Sequence, residues 1–288
     1  MPTTPASPHV HRRHRSVQAA AVAACLLVTG VSALAHDLWI EPSAFLPESG
    51  KLIGVKLRVG VDLLGDPVPR DPALIERFIV ADRAGIKPIA GRDGEDPAGL
   101  LRVTGPGLVV LGYASTPSRI ALPAKKFNEY LAEEGLDSVV TLRAKRNQTD
   151  ADTTEAFARC AKSLLSSGPV TPQDSDRVLG FTLELVAERN PYALDTGQSL
   201  PVRLIYRDKP LAGALIVAVN RRNPSAKLSA RSGTDGRVTF ALSEPGMWLI
   251  KAVHMTAAAD GEQSQWNSYW ASLTFELPGA ASTPPASR

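Results

Sequence analysis

Histidine is the imidazole donor for a metal ion, and it is scarce here. Of the five in the chain, three (9, 11 and 14) precede residue 30, leaving His36 and His254. Cleavage of the chain after Ala35, with Ala33 three places before the cut, would make His36 the first residue. Its free α-amine would then sit beside its imidazole, and that pair chelates one metal ion. Cleavage after Ala33 would instead expose Leu34-Ala35-His36, which holds copper or nickel through the amine, two backbone nitrogens and the imidazole. The two cuts imply different sites.

His254 closes an apolar stretch from Trp248 and could add a third nitrogen. Amine and two imidazoles together would resemble the histidine brace of secreted copper proteins, and nitrogen donors suit copper and nickel. The alternative is equally open: His36 as a polar residue just before a strand, and His254 as a strand-end histidine bonded to backbone. Asp37 and Glu41 are the nearest carboxylates, although a charged residue before a strand is usually only solvated. Trp39, Trp248, Trp266 and Trp270 read as core or interface aromatics. Cys160, spaced with Phe157 and Leu164 as on a helix face, reads as a buried thiol without a chemical role.

Enzymatic constellations are missing. The sequence has no Gly-x-Ser-x-Gly elbow, no phosphate-binding glycine loop, no His-Glu-x-x-His and no Cys-x-x-Cys. A non-enzymatic protein is expected.

Residues 1–35 have the order of a secretory signal: His11-Arg12-Arg13-His14-Arg15, an apolar run from Val17 to Val31, then Ala33-Leu34-Ala35. Export to the periplasm follows. Val22-Ala23-Ala24-Cys25 offers a lipoprotein box as a minor alternative, although Leu26-Leu27-Val28 carries the apolar core past the cysteine. After cleavage no run is long and apolar enough to span a bilayer. The chain has 32 basic and 29 acidic side chains, and Arg12, Arg13 and Arg15 are the only charged residues before His36. The mature part is therefore formally neutral. A pI near 8.9 belongs largely to the leader, which leaves no electrostatic case for nucleic acid. Cys160 would be the single mature cysteine, so packing and not disulfides must hold the fold.

The elements that must position these residues are mostly strands. Period-two patterning covers Lys51 to Val59, Ile75 to Ala81 and Leu108 to Tyr113, and returns in six segments between Val178 and Leu277. Between them, Phe127, Tyr130, Leu131 and Leu136 fall at helical spacing, as do Phe157, Cys160, Ala161, Leu164 and Leu165 in Thr153 to Ser167. A repeat links the two strand regions. Pro42, Gly50 and Val55-Lys56-Leu57 match Pro191, Gly197 and Val202-Arg203-Leu204, and Gly105-Pro106-Gly107-Leu108 matches Glu244-Pro245-Gly246-Met247. The expected organisation is a signal peptide (1–35), an N-terminal Ig-like β domain (36–123), a helical insert or linker (124–170), a C-terminal Ig-like β domain (171–277) and a disordered tail (278–288). The fold class is mainly β: two Ig-like β-sandwich domains with the helical insert between them.

Several segments carry a resemblance. They are His36-Asp37-Leu38-Trp39-Ile40-Glu41-Pro42, Arg70-Asp71-Pro72 with Ile75-Glu76-Arg77-Phe78, Lys126-Phe127-Asn128-Glu129-Tyr130-Leu131 with Glu134-Gly135-Leu136, Tyr192-Ala193-Leu194, and Pro245 to His254. Together they resemble the exported proteins grouped with the periplasmic components of nickel and cobalt uptake systems. The resemblance implies a periplasmic component that captures a divalent transition metal, nickel or cobalt with copper as a third option, and passes it to a membrane metal transporter. His36 would be the principal ligand and His254 a second. Better understood nickel-uptake relatives place a histidine at the second mature position, and cutting after Ala35 departs from that. The rival expectation from another class is a structural or adhesive envelope module in which the histidines are incidental.

Overall fold

The computed structural model describes Met1 and residues 36–169, 171, 174–194 and 197–278. The expected signal peptide, with Cys25, and the tail beyond residue 278 lie outside the described residues. The described residues from His36 to Pro278 belong to one compact unit.

Its first half opens with β1 (Asp37–Pro42), β2 (Leu52–Val61), β3 (Leu64–Val68), β4 (Ile75–Asp82), β5 (Gly85–Pro88), β6 (Gly99–Arg102), β7 (Gly107–Ser115) and β8 (Ser118–Leu122). Helices α1 (Ala124–Glu133) and α2 (Asp137–Lys145) follow, then the 15-residue β9 (Thr153–Ser167). The second half contains β10 (Leu183–Ala187), β11 (Ser199–Tyr206), β12 (Lys209–Pro210), β13 (Leu215–Asn220), β14 (Asn223–Arg231), β15 (Arg237–Ala241), β16 (Gly246–Ala257) and β17 (Trp266–Leu277).

The chain is mainly β, its sheets packed as sandwiches, with two helices between the strand sets. The repeat seen in the sequence is a repeat of topology. One outer sheet runs β1-β2-β3 with β6 also on β2, and the other runs β10-β11-β12 with β15 also on β11. Gly50 and Gly197, both at φ +84°, lie just before β2 and β11. Gly107 and Gly246, at φ +112° and +105°, open β7 and β16. Glycine tolerates these left-handed values without a Cβ clash.

The two halves share their middle layer. β5-β4-β7-β9 and β17-β16-β13-β14 join into one sheet through a parallel β9–β17 pairing, from Trp266 beside Glu155 to Thr274 beside Ser163. Alternation along the strands assigns its two faces. Leu108, Val110, Cys160, Leu164, Ala271 and Leu273 pack with the β10–β11–β15 sheet. Val109, Leu111, Ala161 and Leu165 pack on the opposite face with the β1–β2–β6 sheet. The two outer sheets thus lie on opposite sides of the central one.

Helical spacing from Thr153 to Ser167 is contradicted, because this segment is strand β9. A strand buried on both faces carries apolar residues at both parities, and Phe157, Cys160/Ala161 and Leu164/Leu165 then mimic a helix face. The helical insert is confined to α1 and α2. Phe127, Tyr130 and Leu131 of α1 pack on Val253, Met255, Trp266 and Trp270, beside β1 on the same face.

Candidate functional site

His36 is half-buried and precedes β1, the edge strand of its sheet. In an antiparallel edge strand every second carbonyl faces away from its partner. Here those of Leu38 and Ile40 accept hydrogen bonds from Ser272 Oγ and Thr274 Oγ1 of β17, both at 2.7 Å. The His36 carbonyl is held in turn by the guanidinium of Arg159 on β9, Nη1 donating. Arg159 lies against the rings of Phe157 and Trp270, at 5.3 and 5.8 Å from their centroids, and burial pulls its pKa down.

A buried ionic layer lies under this strand. Lys251 of β16 places Nζ 3.2 Å from Asp37 Oδ1 and 2.9 Å from Glu134 Oε1. Burial pushes both carboxyls up from their ordinary range. Burial also works against the lysine, but the two facing carboxylates outweigh it and hold its ammonium charged. Beside this group, Glu155 accepts from Tyr130 OH at 3.2 Å and from Ser268 Oγ. Trp270 Nε1 donates to Ser268 Oγ at 3.2 Å, and Tyr130 stacks on Trp270 at 5.4 Å. Burial raises Glu155 as well.

The family-resembling segments, far apart in sequence, meet in this layer: Asp37 after His36, Glu134 after α1, and Lys251 three residues before His254. Asp37 was already a candidate; Glu134 and Lys251 were visible only as members of those segments. Arg159 and Glu155 carried no signal, since their stretch read as helix.

The two histidines are not brought together. The His254 ring packs edge-on against Tyr206 of β11 at 4.4 Å, and Tyr206 meets Tyr269 at 5.6 Å, all on the face that carries the second outer sheet. His36 lies on the opposite face with Arg159 and Trp270. The three-nitrogen arrangement is therefore not formed, because the central sheet separates its members. Burial and the charge of Arg207 lower the His254 pKa.

Nor are the neighbouring carboxylates free. Asp37 belongs to Lys251, while Glu41 is paired with Arg221 and accepts from Trp39 Nε1 at 3.3 Å. Burial opposes ionisation of Glu41, yet those partners hold it below its ordinary value. Among the described residues no group of three or more histidine, cysteine, aspartate or glutamate side chains is gathered as a metal site. The four tryptophans are buried core residues, and the buried Cys160 thiol is pushed up to about 11.

Residues 33–256 match the family described as "Domain of unknown function (DUF4198)", more than half of the chain. The chain belongs to the DUF4198 family. The DUF4198 match takes in His36, every member of the ionic layer and His254. No curated protein matches this DUF4198 chain. Among solved structures, the D0-D1 domain of Intimin aligns at 13% identity over 83% of this chain and 97% of that one. Its TM-score of 0.19 is too low to carry an argument. Among the described residues no helix is long and apolar enough to cross a membrane.

Proposed function

We propose that this DUF4198 protein is an exported periplasmic metal-capture component. It binds a divalent transition metal, nickel or cobalt, at the amine and imidazole of His36, and passes it to a membrane transporter. The observation that carries this reading is the grip of Arg159 on the His36 carbonyl. A flexible tail would have to be ordered at the moment of chelation, whereas a first residue already fixed by its own carbonyl spends less of the binding energy on ordering. The half-buried side chain of His36 remains within reach of solvent.

Two nitrogen donors leave most of an ion's coordination positions for water or for donors of a receiving protein, which suits cargo that must be released. The same donors favour copper over nickel and cobalt by intrinsic affinity, so all three ions must be compared. His254 takes no part, being on the far face of the sheet. Resemblance to periplasmic uptake components supports the class of cargo and the membrane partner.

Calorimetric titration of Ni²⁺, Co²⁺ and Cu²⁺ into the processed protein, its first residue established by mass spectrometry, tests the reading. One ion per chain is expected, with binding lost in the His36→Ala variant. Equal affinity in the two proteins would dispose of the proposal.

A further inference from the structure

A second lysine is buried on the other face of β9. Lys162 has its side chain 1% exposed, and its Nζ lies 2.8 Å from Oδ1 and 3.0 Å from Oδ2 of Asp176. Glu184 Oε1 is 3.0 Å from the same nitrogen. Neither carboxylate is more than 1% exposed. Near-equal distances to both Asp176 oxygens bring Nζ opposite the carboxyl carbon between them.

The backbone prepares that carbon for attack. Arg177 N–H donates to Asp176 Oδ1 at 2.7 Å and Ala187 N–H to Oδ2 at 2.9 Å, as donors at an acyl-transfer centre do. Glu184 is clamped by the N–H groups of Leu179, Gly180 and Phe181 at 2.7 to 3.1 Å. The charges also press towards reaction. One buried ammonium faces two buried carboxylates, and ions in so dry a site are costly to keep.

We propose that Lys162 and Asp176 condense into an intramolecular isopeptide bond, with Glu184 carrying the proton. One ammonium proton passes to the Asp176 carboxylate, giving a neutral amine and a neutral acid, the pair that a low dielectric favours. The Nζ lone pair then adds to Asp176 Cγ. Glu184 takes an N–H proton from the tetrahedral adduct and delivers it to the departing hydroxyl, which leaves as water. An N–C bond forms, a C–O bond breaks, one water is lost, and Glu184 ends as it began. No oxidant, cofactor or second substrate is needed.

The product suits its surroundings. Arg177 O, 2.8 Å from Nζ, can accept the remaining amide N–H, and the N–H groups already on Asp176 can serve the new carbonyl. Two of the three buried charges disappear. The bond would tie β9 to the segment leading into β10, in a chain whose mature part has no disulfide partner for Cys160.

Intact mass spectrometry of the mature protein, with its first residue known, tests this without any variant having to fold. The expected mass is lower than the sequence mass by one water, and a digest should yield a branched peptide joining Lys162 to Asp176. Lys162→Arg and Glu184→Gln should each restore the full mass. A native chain at full sequence mass, or a water loss that maps elsewhere, overturns the bond. A deficit that persists in Glu184→Gln overturns the role given to Glu184.

Discussion

Lys251 shows how much one side chain can decide. It is the shared cation of Asp37 and Glu134, and both carboxylates are almost fully buried. Removing one member of a buried ionic group strands the rest, at a cost of about 3–5 kcal/mol. Lys251→Met should therefore lower the urea midpoint by a corresponding amount, and it should do so in the metal-free protein. Glu155 behaves differently: it accepts hydrogen bonds from Tyr130 and Ser268 and, among the described residues, makes no ion pair. Its pKa is raised by burial above the ordinary 4.5, so the native state binds the proton more tightly than the unfolded chain. Stability from this group is then greatest below the unfolded value and falls as pH rises through the native one. Glu155→Gln should match the native protein near pH 4 and exceed it increasingly towards pH 8, as read by melting temperatures across that range. A gap that widens on acidification instead would contradict the burial argument.

At the level of elements, β1 and β9 do most to build the site. β1 is an edge strand, and edge strands need their free carbonyls covered. Ser272 and Thr274 do this from the central sheet, and that capping lays the His36 end of the strand over Arg159. Thr274→Val keeps the shape but leaves the Ile40 carbonyl without its donor, a loss of about 1–3 kcal/mol. Thr274→Ser should retain most of the stability, and paired urea denaturation curves would separate the hydroxyl from the methyl. β9 supplies Arg159 and Glu155 to one face and Lys162 to the other. It could not be told from a helix by spacing, because a strand covered on both sides has no polar face to reveal its period of two. α1 did reveal itself, since Phe127, Tyr130 and Leu131 line one side of a helix whose opposite side is wet.

For the molecule as a whole, the shared middle sheet removes the independence of the halves. β9 pairs with β7 of its own half and with β17 of the other. Unfolding should therefore be a single cooperative transition, with tryptophan fluorescence and far-ultraviolet dichroism giving the same midpoint. A chain ending at Leu122 would leave β7, buried along its whole length, with an open edge, and it should fail to fold. Two separated transitions, or native-like dichroism from that fragment, would show the halves to be autonomous.

The sequence by itself determined what is encoded over short spans: alternating strands, the glycines that open them, the face of α1 and the repeat of two strand sets. Composition also left only two histidines, His36 and His254, after residue 30. Only the tertiary structure decided that Thr153–Ser167 is a strand, that His36 and His254 lie on opposite faces, and that Asp37, Glu134 and Lys251 meet. These depend on which strands pair and in what register, and pairing brings together residues that no local spacing connects.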